Sequence, residues 1–200
     1  MLHPEPRRIG VFGGTFDPPH IGHLVTAVNV RHELALDLVL MVVAHVPWQK
    51  EGLRDVSPSH HRLAMVQAAV RDLEGIEASA LEIARGGASY TADTLAELSE
   101  QYPGAELHTV IGDDAAATLT TWSRWEEIAA RSRLVVVDRP GDPVELTSEV
   151  PWLRVEVPHL EVSSTDLRAR VTDGRPLDFL VPRDVRAYLR EHGLYGAAVG

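Results

Sequence analysis

The segment RRIGVFGGTFDPPHIGHL, which spans residues 7–24, contains the signals that decide the fold. Its first part, Arg7–Phe12, predicts a strand, and Gly13-Gly14 predicts a sharp turn at the end of that strand. Pro18-Pro19 stiffens the lead into a helix that we expect to begin close to His20. A strand, a glycine turn and a helix in this order are typical of the first unit of an α/β protein.

The rest of the chain repeats this alternation of strands and helices. Leu38–Ala44 (LVLMVVA) is a continuous apolar run, which is typical of a strand buried on both faces of a parallel sheet. Further strands are predicted over Ile76–Ile83, Glu106–Ile111 and Leu134–Val137, and helices over Ile21–Leu36, 57–73, Thr91–Tyr102, Ser164–Thr172 and Arg183–His192. We therefore expect one α/β domain over residues 1–200, built as a Rossmann-like parallel sheet with helices on both faces and ending in helices over about residues 164–192.

The composition is that of a globular protein without thiol chemistry. The chain has 200 residues, of which 44% are hydrophobic and 24% charged, and this length suits one sizeable core. Its formal net charge of -10 argues against a general nucleic-acid binder, which would carry a basic surface. The absence of cysteine excludes disulfides, thiolate metal sites and cysteine nucleophiles. The sequence shows no signal-like N-terminus and no membrane-spanning run, so we expect a cytoplasmic protein without a membrane partner.

Two histidines, His20 and His23, lie three positions apart at the predicted start of the first helix. At that spacing both imidazoles share one face of the first turn, where unpaired N–H groups and the positive end of the helix dipole also lie. Gly22 between them keeps the floor of this turn open to a ligand. These donors favour phosphate as the ligand. A zinc site is the alternative, but no third ligand has an obvious spacing.

The stretch Gly13–His23 resembles the signature of the nucleotidylyltransferase superfamily, and in its full form it resembles the bacterial nicotinate-mononucleotide adenylyltransferase branch. Four further segments are similar to that branch and follow in the same order. They are His61-Arg62-Leu63-Ala64-Met65, Ser89-Tyr90-Thr91 with Thr94-Leu95, Gly112-Asp113-Asp114 followed by Trp122, and Ser163-Ser164-Thr165-Asp166-Leu167-Arg168. The resemblance implies the nucleotidylyltransferase type of Rossmann-like sheet.

The resemblance assigns one group of residues to ATP. By its own chemistry Ser163-Ser164-Thr165 is an N-cap cluster, and hydroxyls and free N–H groups at a helix start also bind phosphate. Arg168 at the same end can hold phosphate oxygens in two hydrogen bonds. The ribose is expected at Gly112 and Asp114, with Asp113 exposed. The expected ATP ligands are Gly13, Gly14, Thr15, Phe16, His20, Gly22, His23, Gly112, Asp114, Ser163, Ser164, Thr165 and Arg168, and the catalytic residues among them are His20, His23 and Arg168.

A second group of residues is assigned by the resemblance to nicotinate mononucleotide. Trp122 would stack on the pyridine ring, and an aromatic face suits a cationic pyridinium. The backbone N–H groups of Tyr90 and Thr91, at a predicted helix start, would take the nicotinate carboxylate. The family often carries a Pro-His-Lys loop where this chain has Pro47-Trp48-Gln49-Lys50, so Lys50 is the cation expected at the phosphate. The expected ligands of this nucleotide are Phe16, Lys50, Tyr90, Thr91 and Trp122.

The reaction that the resemblance implies is transfer of AMP from ATP to nicotinate mononucleotide, which gives nicotinate adenine dinucleotide and pyrophosphate. The attacking phosphate is already an anion near pH 7, because its second pKa is about 6, and no general base is needed. We expect Mg²⁺ as the cofactor, held mainly by the ATP phosphates and waters, with no dedicated protein site.

Other functions stay open at this point. The phosphate acceptor could instead be nicotinamide mononucleotide or phosphopantetheine, or the protein could be a sensor that binds ATP and transfers nothing. The complete set of His20, His23 and Arg168 argues against the sensor. The segment His20-Ile21-Gly22-His23 also matches an aminoacyl-tRNA synthetase motif, but that reading needs a longer chain with a tRNA-binding domain. The sequence leaves open whether the chain forms a homo-oligomer.

Overall fold

The structure, a computed structural model, describes residues 6–46, 56–138, 145–158 and 160–197. Its centre is a six-stranded sheet in which every pair of neighbouring strands is parallel. The strands are β1 (Arg8–Gly14), β2 (Leu38–Val43), β3 (Ile76–Ser79), β4 (Glu106–Gly112), β5 (Arg133–Asp138) and β6 (Trp152–Glu156). Their order across the sheet is β3-β2-β1-β4-β5-β6. The predicted α/β class with a parallel sheet is confirmed.

Helices cover both faces of this sheet. They are α1 (Ile21–Glu33), α2 (Ser59–Val70), α3 (Leu81–Arg85), α4 (Thr91–Gln101), α5 (Asp113–Ala116), α6 (Trp125–Arg131), α7 (Ser164–Thr172) and α8 (Arg183–Glu191). Buried side chains of α1, α2, α7 and α8 form one apolar cluster with the sheet, and those of α4 and α6 form a second. Among the described residues, no helix combines the length and apolar character needed to cross a bilayer.

Strand β2 is buried on both faces, which explains why its sequence is apolar throughout. All six of its side chains are buried. Val39, Met41 and Val43 pack into the cluster that contains α1 and α2, whereas Leu38, Leu40 and Val42 pack into the cluster that contains α4 and α6. Because successive side chains of a strand point to opposite faces, a central strand with helices on both sides needs an unbroken apolar run.

The turn after β1 differs from the prediction, which ended the strand at Phe12. Gly13 and Gly14 belong to β1 and pair with the last two residues of β2. The left-handed residue of this turn is Phe16, with a φ of 49°. A Cβ on Gly14 would lie only 2.7 Å from the Phe16 ring, so the missing side chain makes room for that ring. The sharp turn therefore comes two residues later than predicted.

Other elements were predicted only in part or were not predicted. The strand expected over Ile76–Ile83 ends at Ser79, and α3 follows it from Leu81. Strand β6 was not predicted, because its sequence WLRVE lacks an apolar run and only Val155 is buried. Helix α6 was also not predicted: it has seven residues, and Ile128 is its buried residue.

The order of the strands creates a switch point between β1 and β4. From β1 the chain proceeds to β2 and β3 on one side, and it then returns to β4 on the other side. Open parallel sheets bind ligands beyond the carboxyl ends of their strands at such a point. Gly13-Gly14 and Gly112 end these two strands, so both glycine segments predicted to meet a ligand lie at this edge.

Candidate active site

Two pockets open at the ends of β1 and β4. The larger has a volume of about 840 Å³ and lies beside the starts of α1 and α7. The smaller has a volume of about 150 Å³ and lies between the strand ends and the first turn of α4. Among the predicted ATP ligands, the larger pocket is lined by His20, Gly22, His23, Gly112, Ser163, Ser164, Thr165 and Arg168. The smaller pocket is lined by Gly13, Gly14 and Thr15, together with Thr91 and Trp122 from the predicted nicotinate mononucleotide site.

The two histidines come together at the start of α1. This helix begins at Ile21, and His20 is its N-cap residue, in agreement with the prediction. The backbone N–H of His20 donates to Nδ1 of His23 at 3.2 Å, and the two rings stack with centroids 3.7 Å apart. Because Nδ1 of His23 is an acceptor, the proton of its neutral ring lies on Nε2. His23 can therefore offer Nε2–H to a ligand.

Gly22 is needed because two segments approach each other closely. A Cβ at this position would lie 3.0 Å from Cγ1 of Val162 and 3.1 Å from Nδ1 of His20. Both distances are shorter than ordinary van der Waals contacts. A larger residue would separate α1 from the segment before α7, and the larger pocket lies between them.

The start of α7 is hydrogen-bonded to the loop that precedes α1. Oγ of Ser164 donates to the carbonyl of Pro18 at 2.8 Å, and Nη1 of Arg168 donates to the carbonyl of Asp17 at 2.8 Å. These residues are about 150 positions apart in the sequence. The hydrogen bonds place the hydroxyl cluster and the guanidinium beside the histidines, on one pocket.

The charge at the start of α7 is balanced within the helix. Oγ of Ser163 caps α7 by accepting the N–H of Asp166 at 3.2 Å. The Asp166 carboxylate accepts hydrogen bonds from Arg170 at 2.6 Å and from Arg175 at 3.3 Å. The hydrogen bond from Arg170 and the charges of both arginines hold the pKa of Asp166 below its ordinary value. The two arginines thus offset the carboxylate, and Arg168 contributes its positive charge to the pocket.

The end of β4 brings Gly112 to the wall of the larger pocket. No atom lies within 4 Å of a Cβ built on Gly112, so a ligand can approach this backbone closely. Asp114 is exposed, and among the described residues it lines neither pocket. Asp113 was predicted to be exposed, and this was wrong: it is buried, and its Oδ1 accepts the N–H of Asp114 at 2.9 Å.

The smaller pocket combines hydroxyl groups, one carboxylate and an aromatic wall. Thr91 begins α4, as predicted, and lies on the pocket wall. Oγ1 of Thr94 donates to Oε1 of Glu82 at 2.6 Å, and Glu82 is only 7% exposed. The indole of Trp122 forms a further part of the wall, and its Nε1 has no hydrogen-bond partner among the described residues. Glu82 was not predicted as a site residue, and its only signal in the sequence was its place in a segment predicted to be a strand.

Besides Asp114, two predicted ligands among the described residues, Phe16 and Tyr90, lie outside the walls of both pockets. The Phe16 side chain is buried and packs edge-on against Phe12 and His23, so it supports the His23 ring from below. Tyr90 is the N-cap residue of α4, and its side chain lines neither pocket in the described part of the chain. Lys50, with the rest of Pro47–Lys50, lies outside the described residues.

Arg62 joins the segments around the site, a role that was not predicted from the sequence. This arginine of α2 is 1% exposed. It donates to the carbonyls of Thr15 at 2.9 Å, His45 at 2.9 Å and Ser57 at 2.8 Å. One guanidinium therefore joins the segments after β1 and β2 to the start of α2. The only sequence signal was its position in the His61–Met65 segment.

Comparison with known proteins identifies the family of this chain. The Cytidylyltransferase-like family profile matches residues 11–170. A protein named probable nicotinate-nucleotide adenylyltransferase from Desulfitobacterium hafniense strain Y51 is 43% identical over 97% of this chain and 98% of that protein. The nicotinate-nucleotide adenylyltransferase of Bacillus subtilis strain 168 is 38% identical over 94% of this chain and 98% of that protein.

A solved structure shares the fold at lower sequence identity. The nicotinic acid mononucleotide adenylyltransferase of Plasmodium falciparum, complexed with NaAD, superposes with a TM-score of 0.78 and 17% identity. The superposition covers 97% of this chain and 100% of that chain. The family profile and the near full-length relatives together show that this chain belongs to the Cytidylyltransferase-like family, in its nicotinate-nucleotide adenylyltransferase branch.

Proposed function

We propose that this protein transfers AMP from ATP to nicotinate mononucleotide, a step of NAD biosynthesis that gives nicotinate adenine dinucleotide and pyrophosphate. Relatives named for this activity match almost the whole chain. The observation that carries the proposal is the pair of unequal pockets that share the ends of β1 and β4. One pocket presents phosphate donors and the other an aromatic wall, and a reaction that joins two nucleotides needs both.

The larger pocket suits the triphosphate. His20, His23 and Arg168 line it together with the hydroxyls at the start of α7, and these groups converge from two helix N-termini. Each helix start also offers backbone N–H groups and the positive end of its dipole. We assign His20 and His23 to the ATP phosphates and Arg168 to the leaving side. Gly112 has the space for close approach of the adenosine ribose.

The chemistry that remains is positioning and charge stabilisation. An oxygen of the nicotinate mononucleotide phosphate attacks the α-phosphorus of ATP, and the bond from that phosphorus to the β-phosphate bridging oxygen breaks. Pyrophosphate then leaves with the electron pair of that bond. The attacking group is already anionic near pH 7, so no side chain has to remove a proton. Preorganised donors that stabilise the growing charge account for most of the rate enhancement in such transfers.

The smaller pocket suits the pyridine ring of the acceptor. Its volume of about 150 Å³ is below the roughly 300 Å³ at which ordinary small-molecule pockets begin, so it takes a part of the nucleotide only. Trp122 provides a face for the ring, and the start of α4 at Thr91 provides N–H groups for the carboxylate. Gly13, Gly14 and Thr15 border this pocket, so they lie where the two nucleotides would meet.

The described residues fit a metal that arrives with the nucleotide. They contain no group of three or more histidine, aspartate or glutamate residues placed to hold an ion. The donors in the larger pocket are cationic groups, imidazoles and hydroxyls, which bind phosphate oxygens. Mg²⁺ would be held mainly by the ATP phosphates and waters, and it would supply positive charge to the leaving pyrophosphate there.

The test is pyrophosphate release with ATP and each of three acceptors: nicotinate mononucleotide, nicotinamide mononucleotide and phosphopantetheine. We expect rapid release with the first, slower release with the second and none with the third. Release with phosphopantetheine alone would assign a different acceptor. No release with any acceptor, despite ATP binding, would make the protein a nucleotide sensor.

A further inference from the structure

The last turn of the described chain reaches the loop before α1. Residues Leu194–Gly196 form a short 3-10 turn after α8. The phenol O–H of Tyr195 donates to Oδ1 of Asp17 at 2.5 Å, across 178 positions of sequence. Among the described residues, the walls of the two pockets do not include Tyr195. Tyr195 therefore contacts the edge of the site without lining a pocket.

Asp17 connects Tyr195 to the catalytic residues. It is 1% exposed, and its two ends have different partners. Its carboxylate accepts the Tyr195 hydroxyl at Oδ1 and the backbone N–H of Ser57 at Oδ2, the latter at 3.4 Å, while its backbone carbonyl accepts Nη1 of Arg168 at 2.8 Å. A buried carboxylate is stable only where hydrogen bonds compensate its lost hydration. The partners of the Asp17 side chain thus help to set the direction of the carbonyl that holds Arg168.

The Tyr195 hydroxyl is a dependable donor. Burial, reinforced by the hydrogen bond to Asp17, raises the pKa of Tyr195 far above its ordinary value, so the phenol keeps its proton. The carbonyl of Tyr195 accepts Oγ1 of Thr172 at 3.3 Å, at the end of α7. The φ of Tyr195 is 58°, which lies in the left-handed region that few residues other than glycine adopt. Contacts at both ends of Tyr195 hold it in this conformation.

We infer that Tyr195 is a positioning residue for the ATP site, because its hydrogen bond to Asp17 orients the peptide that holds the Arg168 guanidinium. It acts only through Asp17 and Arg168 and contacts neither substrate. The inference rests on the proposed function for the identity of the nucleotide. Loss of the hydroxyl therefore weakens the ATP half of the reaction and leaves the smaller pocket unchanged.

The first test compares Tyr195→Phe with Tyr188→Phe. The Tyr188 hydroxyl pairs with Nδ1 of His61 at 2.9 Å on α2, away from both pockets, so this variant makes the same chemical change elsewhere. In Tyr195→Phe we expect the KM for ATP to rise about tenfold, the effect of roughly one hydrogen bond, with the KM for nicotinate mononucleotide unchanged. In Tyr188→Phe we expect both KM values to stay unchanged. An equal change of the ATP KM in the two variants would overturn the inference.

A second test needs no variant and decides the matter if Tyr195→Phe does not fold. Coupling between two sites is reciprocal, so a non-hydrolysable ATP analogue should slow amide hydrogen exchange at residues 194–197 of the wild-type protein. Unchanged exchange there, with the analogue bound, would overturn the inference. This exchange experiment requires only ATP-analogue binding and no turnover. If the wild type forms no nicotinate adenine dinucleotide, the proposed function fails and the Tyr195 inference is still tested.

Discussion

The larger and the smaller pocket share the ends of two strands but are built by different means. The larger obtains its donors from two helix starts about 150 residues apart, joined by the Ser164–Pro18 and Arg168–Asp17 hydrogen bonds. The smaller is built from strand ends and the first turn of α4. Its walls carry hydroxyls and the Glu82 carboxylate, and no lysine or arginine is among the described residues that line it.

This difference indicates a division of labour. The larger pocket is suited to polyanions, and it depends on long-range contacts that orient each donor. The smaller pocket is suited to selection by shape and by the position of single charges. Variants in the two pockets should therefore change different kinetic constants, and the predictions below test that separation.

The largest effect is expected for His23→Ala in the larger pocket. Loss of one preorganised donor to the reacting phosphates should lower kcat by about 10²–10³-fold, while the fold is retained. Steady-state kinetics and circular dichroism measure the two quantities. His60→Ala is the matched control, since His60 is exposed on α2, and its kcat should equal that of the wild type. Normal turnover by His23→Ala would remove His23 from the mechanism.

In the smaller pocket, Trp122→Leu should raise the KM for nicotinate mononucleotide about tenfold, because stacking of a base on an aromatic side chain contributes about 1–3 kcal/mol. The KM for ATP should not change. Trp122→Phe retains an aromatic face and should recover much of the loss. If Trp122→Leu instead changed the ATP constants, the assignment of the two pockets would be reversed.

A smaller effect, on selectivity, is expected for Glu82→Gln. The amide oxygen can still accept the Thr94 hydroxyl, so the substitution removes mainly a negative charge. Nicotinate carries a carboxylate that nicotinamide lacks, and the negative charge of Glu82 nearby disfavours binding of that carboxylate. The ratio of kcat/KM for nicotinate mononucleotide to that for nicotinamide mononucleotide should rise about threefold, an energy within the range of such charge pairs. A fall in this ratio would contradict the role given to Glu82.

The smallest effect on activity is expected at His108, which is fully buried in β4 and lines neither pocket among the described residues. Burial lowers the pKa of His108 below its ordinary value, and Glu106 opposes this only in part. The unfolded chain therefore binds a proton below about pH 6.5 that the folded chain resists, and the free energy of unfolding falls as the pH falls through this range.

Urea unfolding at pH 7.5 and pH 5.5 measures this dependence on pH. The difference between the free energies of unfolding at the two pH values should be smaller in His108→Leu than in the wild type. Part of it should persist, because burial also lowers the pKa of His61. At pH 7.5 the kcat of the variant should equal that of the wild type. If the free energy of unfolding depended on pH equally in both proteins, His108 would not be the source of that dependence.

Local patterns predicted much of this structure, and the exceptions have a physical cause. The apolar run of β2 and the helix start at His20 depend on residues adjacent in the sequence, so both could be predicted from the sequence alone. Edge strand β6 is mostly solvated and has no apolar run to reveal it. The turn at Phe16 depends on the space that Gly14 leaves for the ring, a contact that only the folded chain shows.

The candidate site also has features that local patterns predicted and features that depend on the folded chain. The motifs pointed to His20, His23, Ser163, Ser164, Thr165 and Arg168 as candidate phosphate ligands, and the structure brings these residues to one pocket. They did not indicate that Asp113 folds back onto its own helix, because this depends on the conformation of one side chain. Nor did they indicate the roles of Glu82 and Tyr195, whose partners lie 12 and 178 positions away.

The three carbonyls held by Arg62 have a consequence for unfolding. Thr15 borders the smaller pocket and lies in the loop that leads to His20, while His45 and Ser57 flank the chain between β2 and α2. A guanidinium reaches all three through separate nitrogens, which a lysine ammonium could not do. Denaturant should therefore abolish both pockets in a single cooperative transition, with no intermediate that keeps one of them.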